Sequence, residues 1–386
     1  MNLNGAAFFI NAVFLLTAAF LFAQPKPLKF SKQQIASETY ETVGVFDVDN
    51  DGKLDLVSGA YWYKGPDFQA RHYIGSAKRY GEYYDDFSTI PLDVNGDGLM
   101  DFITGGWFGK QLVWKQNPGD GGEWQEHLIA EAGNIESTRS WDLDGDGIIE
   151  IIPNTPNDSL VVYRLQLDGN KKGAGMFSKH SIFGPHGHGL GFGDINGDGF
   201  TDIIVSKGWL QAPEDTYKGE WKMHHEFDLG TASVPIIVAD VNKDGLSDLI
   251  VGQGHDYGLS WYEQKPATKK QKNQWTKHAI DPYNSQYHSM EWTDIDLDGE
   301  NELITGKRYR AHNGKDPGGS DELGLYYFKW NGENFSKQVI DYGPYGRGKG
   351  TGVYFSVSDV DNNGMKDIIV AGKDGLNIYY NEPIKQ

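Results

Sequence analysis

Short apolar runs separated by polar turns recur along this chain from the forties to residue 381. Seven runs follow an acidic segment: LVSG, FITG, IIPN, IIVS, LIVG, LITG and IIVA. Each acidic segment is preceded by another apolar run, such as VGVF before Asp47 or PIIVA before Asp240. A third run is rich in aromatics: LVWKQ from 112, LVVYRL from 160, GLSWYEQ from 258, GLYYFKW from 324 and GLNIYYN from 375. A fourth repeats aromatic-x-x-His/Gln: WQEHLIA from 124, FSKHSIF from 177, WKMHHEF from 221, WTKHAID from 275 and FSKQVID from 335. Runs this short, rich in β-branched and aromatic residues and bounded by Gly, Asn and Asp, predict strands. Four strands form one unit, and the unit repeats.

The acidic segments set the register. They are DVDNDGKLD (47–55), DVNGDGLMD (93–101), DLDGDGIIE (142–150), DINGDGFTD (194–202), DVNKDGLSD (240–248), DIDLDGENE (294–302) and DVDNNGMKD (359–367). First positions lie 46, 49, 52, 46, 54 and 65 residues apart. Four-stranded units at periods near fifty predict an all-β fold, a seven-bladed β-propeller of four-stranded blades. After the seventh segment the chain has room for two more strands only. FSKQQIA (30–36) nearly copies FSKQVID, so an N-terminal strand is expected to complete the last blade and remove its open edge.

Each segment places oxygen side chains at its first, third, fifth and ninth positions and Gly at its sixth. The expected ligands are Asp47, Asp49, Asp51 and Asp55; Asp93, Asn95, Asp97 and Asp101; Asp142, Asp144, Asp146 and Glu150; Asp194, Asn196, Asp198 and Asp202; Asp240, Asn242, Asp244 and Asp248; Asp294, Asp296, Asp298 and Glu302; and Asp359, Asp361, Asn363 and Asp367. Hard oxygen ligands at flexible geometry suit Ca²⁺, so up to seven structural calcium sites are expected. An EF-hand needs a bidentate Glu at the twelfth position. Here that position holds Ser58, Thr104, Pro153, Val205, Val251, Thr305 and Val370, which excludes it.

The segments also account for the charge. The chain is −19 at neutral pH, and 25 of its 54 acidic residues lie in these seven segments. No basic stripe is present to release counterions, so nucleic acid is not an expected partner. With no cysteine, disulfides, thiol catalysis and Cys-ligated zinc are excluded. The stretch 5–23 is apolar apart from Asn11 and Thr17, and QPKP follows it. It reads as a signal peptide spanning 1–23, which places the body in a secreted, extracellular or periplasmic setting; an uncleaved anchor is the alternative. Residues 24–386 are then a single propeller with no further membrane span.

These repeats resemble the FG-GAP/VCBS family, calcium-loop propellers that include the integrin α-subunit head, over roughly residues 30–381. The resemblance implies fold and calcium rather than an activity.

Chemistry is expected at the end opposite the acidic loops. Six residues before each first Asp stand Glu41, Phe87, Glu136, His188, Val234, His288 and Val353, forming a ring around the channel mouth. Two Glu and two His on one ring suit a divalent metal such as Zn²⁺ or Mg²⁺, or an acid–base pair. His186, His255 and His312 fall in turns of the same end, whereas the six fourth-strand histidines read as packing residues. The insertion GKRYRAHNGKD (306–316) adds Lys307, Arg308 and His312. Arg139 and Glu291 sit three residues before their first Asp, Arg347 precedes the last blade, and Trp62, Trp107 and Trp209 follow second strands. At PHGHGLGFGDINGDG, HSMEWTDIDLDG and TGKRYRAHNGKDPG the chain also resembles the propeller of aldos-2-ulose dehydratase-like proteins, with no cupin domain, and hence no isomerase step, expected beside it. That resemblance implies a carbohydrate lyase removing water from a keto-sugar. His188, His288, Glu136, Arg308 and His312 would be catalytic; His186, Arg139, Glu291, Lys307, Arg347 and Trp209 would bind substrate. The alternative is a non-catalytic glycan- or protein-binding adhesion propeller.

Overall fold

The computed structural model describes residues 28–266 and 274–383. The expected signal segment lies outside the described residues. Seven four-stranded antiparallel sheets form the propeller, and six of them follow chain order from inner to outer strand. Blade 1 begins at Gly44–Phe46, blade 2 at Ile90–Leu92, blade 3 at Ser137–Trp141 and blade 4 at Leu190–Gly193. Blades 5, 6 and 7 begin at Ile237–Ala239, Met290–Thr293 and Ser356–Ser358. The seventh sheet is completed by Lys29–Ala36, which pairs with Gly375–Glu382 in the register Phe30 to Asn381. The expected closure is present.

The core is a ring of seams between blades. Blades 1 and 2 meet through Val57, Trp62, Phe102 and Trp124. Blades 3 and 4 meet through Ile152, Leu160, Val162, Leu190, Phe192 and Ile203. The seam joining blades 7 and 1 contains Val43, Leu56, Tyr63, Ile369 and Ile378. Each fully buried aliphatic or aromatic side chain contributes about 1.5–3 kcal/mol, so closing the last seam matters as much as forming any other. Four fourth-strand histidines stack on third-strand tryptophans: His72 on Trp62, His127 on Trp114, His224 on Trp209 and His278 on Trp261, at centroid distances of 4.2–4.5 Å. They pack the blades, as expected from their register.

The ninth acid of every loop is a strut as well as a candidate ligand. All seven are fully buried. Each accepts a backbone N–H from the residue seven earlier, at 2.8–3.2 Å. The five at Asp55, Asp101, Asp202, Asp248 and Asp367 also accept an N–H from the end of the third strand, at 2.7–2.9 Å. One carboxylate therefore ties first strand to third. Opposite these loops, the first strands begin at the hub.

Candidate metal centre

Four elements converge at the hub. Glu136, His188 and His288 each precede an inner strand, and His255 lies in the turn between Asp248–Gly252 and Tyr257–Lys265. One ligand atom from each of the four falls within 4.8 Å of the others. His288 Nε2 stands 3.0 Å from Glu136 Oε1, and the Nε2 atoms of His188 and His255 both stand 3.6 Å from it. The three rings are mutually near-perpendicular, at 81–90°. His288 is wholly buried, while His188 and His255 keep 12% and 9% of their side-chain surface open. Access to the centre is over those two rings.

Hydrogen bonding fixes the tautomers of two imidazoles. His188 Nδ1 is 2.6 Å from the Ala232 carbonyl, which only accepts, so this nitrogen carries the proton. His255 Nδ1 donates to Asp316 Oδ2 at 2.9 Å. In the neutral rings both Nε2 atoms are then bare acceptors, and they face each other at 3.1 Å. Two lone pairs at that separation repel unless a cation lies between them. Three imidazole nitrogens and one carboxylate oxygen are the donor set of a tetrahedral zinc-class ion, with Ala232 and Asp316 orienting two of the ligands from behind.

The surroundings reinforce the charge on Glu136. Burial works to raise its carboxyl, but the polar surroundings formed by His188, His255 and His288 hold it well below the usual range. Arg308 Nη1 donates to Glu136 Oε1 at 3.0 Å and its Nε to Glu41 Oε1 at 2.9 Å. Burial lowers the Arg308 guanidinium, yet the two carboxylates more than reverse this. Burial drives His288 well below its ordinary value and lowers His255, so both stay neutral. Beside the centre, His312 stacks on His255 at 4.3 Å and donates its Nδ1–H to Asp316 Oδ1 at 2.8 Å, with 60% of its side chain exposed.

All seven ring positions are found at the hub or against it. Phe87 lies under the Arg308 guanidinium, Val234 offers its carbonyl to Arg139, and Val353 packs with Phe87. His255 and Asp316 were not assigned a chemical role by the register, because both come from turns outside it. Several expected substrate contacts are placed elsewhere. Trp209 is 2% exposed under His224 and fills the seam of blades 4 and 5, so it offers no stacking face. Lys307 is buried on Ser285 Oγ and the Gly318 carbonyl, and burial pushes its amine down to about 8. His186 is buried beside Asn154 and held near pKa about 4 by that burial. Arg347 is exposed beside the outer strand of blade 7, its carbonyl accepting from Lys32. Arg308 is committed to two carboxylates rather than to open space. Arg139 and Glu291 line a separate cavity of about 290 Å³ within the channel, with Trp141, Phe192, Trp292 and Tyr354. Arg139 Nη2 donates to Ser289 Oγ at 3.0 Å and to Val234 O, so it stands between this cavity and the hub.

At the acidic loops, first-position aspartates such as Asp194 accept loop N–H groups at 2.7–3.2 Å. Gly199 has φ +88°, the left-handed turn that its lack of Cβ permits. The oxygen-only donors suit calcium where they remain free to converge.

The chain is a seven-bladed β-propeller that carries FG-GAP-like repeats. The model of the FG-GAP-like repeat matches residues 93–153 and 142–205. Integrin alpha pat-2 of Caenorhabditis briggsae is 30% identical over 225 residues, a match covering 48% of this chain and 17% of that protein. The chain thus spans less than a fifth of the curated relative it matches. Among solved structures, BBS1N in complex with ARL6DN aligns with a TM-score of 0.54 at 10% identity, covering 93% of this chain and 98% of that one. A lectin of Agrocybe aegerita aligns with a TM-score of 0.47 at 16% identity, over 78% and 80% of the two chains.

Proposed function

We propose that the hub is the active site of a metal-dependent carbohydrate lyase that removes water from a keto-sugar. The observation that carries this reading is the pair of bare Nε2 atoms on His188 and His255, 3.1 Å apart beside a carboxylate. Glu136, His188, His255 and His288 would hold a zinc-class divalent ion, which supplies Lewis acidity toward a substrate carbonyl. Arg308 keeps Glu136 ionised and in place. His312, the exposed ring backed by Asp316, takes the proton on the carbon next to the carbonyl. The electron pair of that C–H bond forms the C=C bond as the β-hydroxyl leaves. The imidazolium returns its proton to the departing oxygen, so water is released and His312 ends neutral.

The three segments that resemble the dehydratase-like propellers supply His188, His288, Arg308 and His312, all gathered at this hub. We further propose that acidic loops bind calcium and that the protein acts outside the cytoplasm, where calcium is abundant. A second reading, a binding or adhesion propeller, is favoured by the similarity to an integrin α chain and by the aromatic cavity behind Arg139. The test is incubation of metal-loaded protein with anhydrofructose while following ultraviolet absorbance of the enone. The wild type should generate the signal and His288→Ala should not. Equal turnover by both would refute the assignment of the centre, and silence from both would favour the binding reading.

A further inference from the structure

The acidic loops are not equivalent. Antiparallel pairing sets one third-strand residue opposite each ninth acid, as Arg164 faces Glu150. Extending the other registers by one residue gives Lys64, Gln116, Gln211, Glu263, Lys329 and Tyr380. A cation thus stands over the loop in blades 1, 3 and 6 only.

The same three loops are the ones with acids at both the third and fifth positions: Asp49 and Asp51, Asp144 and Asp146, Asp296 and Asp298. The other four replace one of the pair by Asn, at Asn95, Asn196, Asn242 and Asn363. Each Asn donates its own Nδ2–H to the neighbouring Asp at 2.8–3.2 Å. The extra carboxylate and the cation therefore occur together or not at all, in all seven blades.

The contacts show where the cation sits. Lys329 Nζ meets Asp296, Asp298 at 2.6 Å and Glu302 at 3.1 Å, which are the third, fifth and ninth ligand positions. Arg164 meets Asp144 at 3.4 Å, Asp146, and Glu150 at 3.6 Å, the same three positions. Lys64 meets Asp49, and Asp51 at 2.9 Å. A group bridging these oxygens stands where a calcium ion would be ligated. Being tethered to the adjacent strand, it competes at high effective concentration.

We propose that the chain closes the loops of blades 1, 3 and 6 with its own cation, and that calcium enters only the loops of blades 2, 4, 5 and 7. This inference rests on the calcium reading above and divides it between two kinds of loop. Lys64, Arg164 and Lys329 hold three blade corners together whatever the calcium supply, and the remaining four corners answer to it. In blade 5, Glu263 accepts from Asn242 at 3.1 Å and adds an acid where the other blades have a cation or a neutral group.

The test is a count. Metal-stripped protein is dialysed against saturating calcium, and bound calcium is measured by elemental analysis, separately from any zinc. The expected result is about four ions per chain, rising to about seven in Lys64→Gln/Arg164→Gln/Lys329→Gln. Lys64→Gln alone, with an unchanged circular dichroism spectrum, should gain one ion, which keeps the test sound if the triple variant does not fold. Seven ions on the wild type would overturn the division and leave the calcium reading standing. None would overturn both, and no gain in Lys64→Gln would overturn the role given to the cation.

Discussion

Gly254 lies against two of the hub imidazoles, His188 and His288, and adding a methyl group there should misplace them. A Cβ on Gly254 would stand 3.1 Å from His288 Cδ2 and 3.2 Å from His188 Cε1. Ordinary carbon contacts are about 3.5–4.0 Å, so both rings must retreat by roughly half an ångström. The position carries no left-handed φ, so Ala brings no backbone strain of its own. Metal ligands tolerate displacements of about 0.2 Å. The expected loss in zinc affinity for Gly254→Ala is therefore about 10- to 100-fold, or ~1.4–2.8 kcal/mol. Overpacking should also cost the metal-free fold about 1–3 kcal/mol. Competition against a chromophoric chelator reads the first quantity, and urea unfolding without metal reads the second. Gly169→Ala is the control, since nothing lies within 4 Å of its added methyl. Equal zinc affinity in the two variants would refute the placement of a metal between these rings.

Other perturbations probe different parts of the same site. Arg308→Met leaves Glu41 and Glu136 buried without their partner, and should destabilise the fold by about 3–5 kcal/mol; an unchanged urea midpoint would contradict the ion-pair role. His312→Ala should lower kcat on a keto-sugar about 100-fold or more with zinc content unaltered, because its ring backs onto Asp316 and is no ligand. Loss of zinc along with activity would show that His312 holds the metal instead. Deleting the first 36 residues should expose the edge of Gly375–Glu382 and strip cover from the seam of blades 7 and 1. Light scattering should then report aggregation, and a monodisperse truncated protein would mean that the ring closes without this strand.

The fold was legible because seven acidic turns mark the same corner of every blade. Once that register is set, counting six residues back from Asp142, Asp194 and Asp294 finds Glu136, His188 and His288 without coordinates. His255 escapes the count because it is carried by a turn between second and third strands, whose lengths differ from blade to blade. Its signal was weaker: a histidine following Gly254 at the same end. Arg308 was visible as a cation in a long insertion, but only packing shows that two carboxylates consume it. Trp209 shows the opposite limit. A tryptophan after a strand reads equally as a ligand platform or as filler, and the stack on His224 decides for filler. The division among the acidic loops lay in the sequence throughout, but it becomes readable only once pairing sets Lys64, Arg164 and Lys329 over their acids.

The insertion of blade 6 explains how a rigid ring holds one imidazole out at its edge. Arg310, His312 and Asn313 all hold left-handed φ values, 53°, 47° and 60°, a conformation costing a non-glycine residue about 1–2 kcal/mol. Such a run persists only if its surroundings fix it. The fixing groups come from across the hub. Arg310 pairs with both oxygens of Glu82 at 3.0 and 2.6 Å, and the Asn313 N–H donates to Tyr83 Oη at 3.1 Å. Glu82 and Tyr83 lie at the small hairpin Arg79–Tyr80/Tyr83–Tyr84, between blades 1 and 2. Ala311 is fully buried, Lys373 from blade 7 donates to the Arg310 carbonyl at 2.8 Å, and Asp316 holds His312 to His255. These contacts clamp one strained turn and present its imidazole beside the hub histidines. Strain spent in the turn keeps His312 out of the packed blades, where four fourth-strand histidines lie stacked on tryptophans.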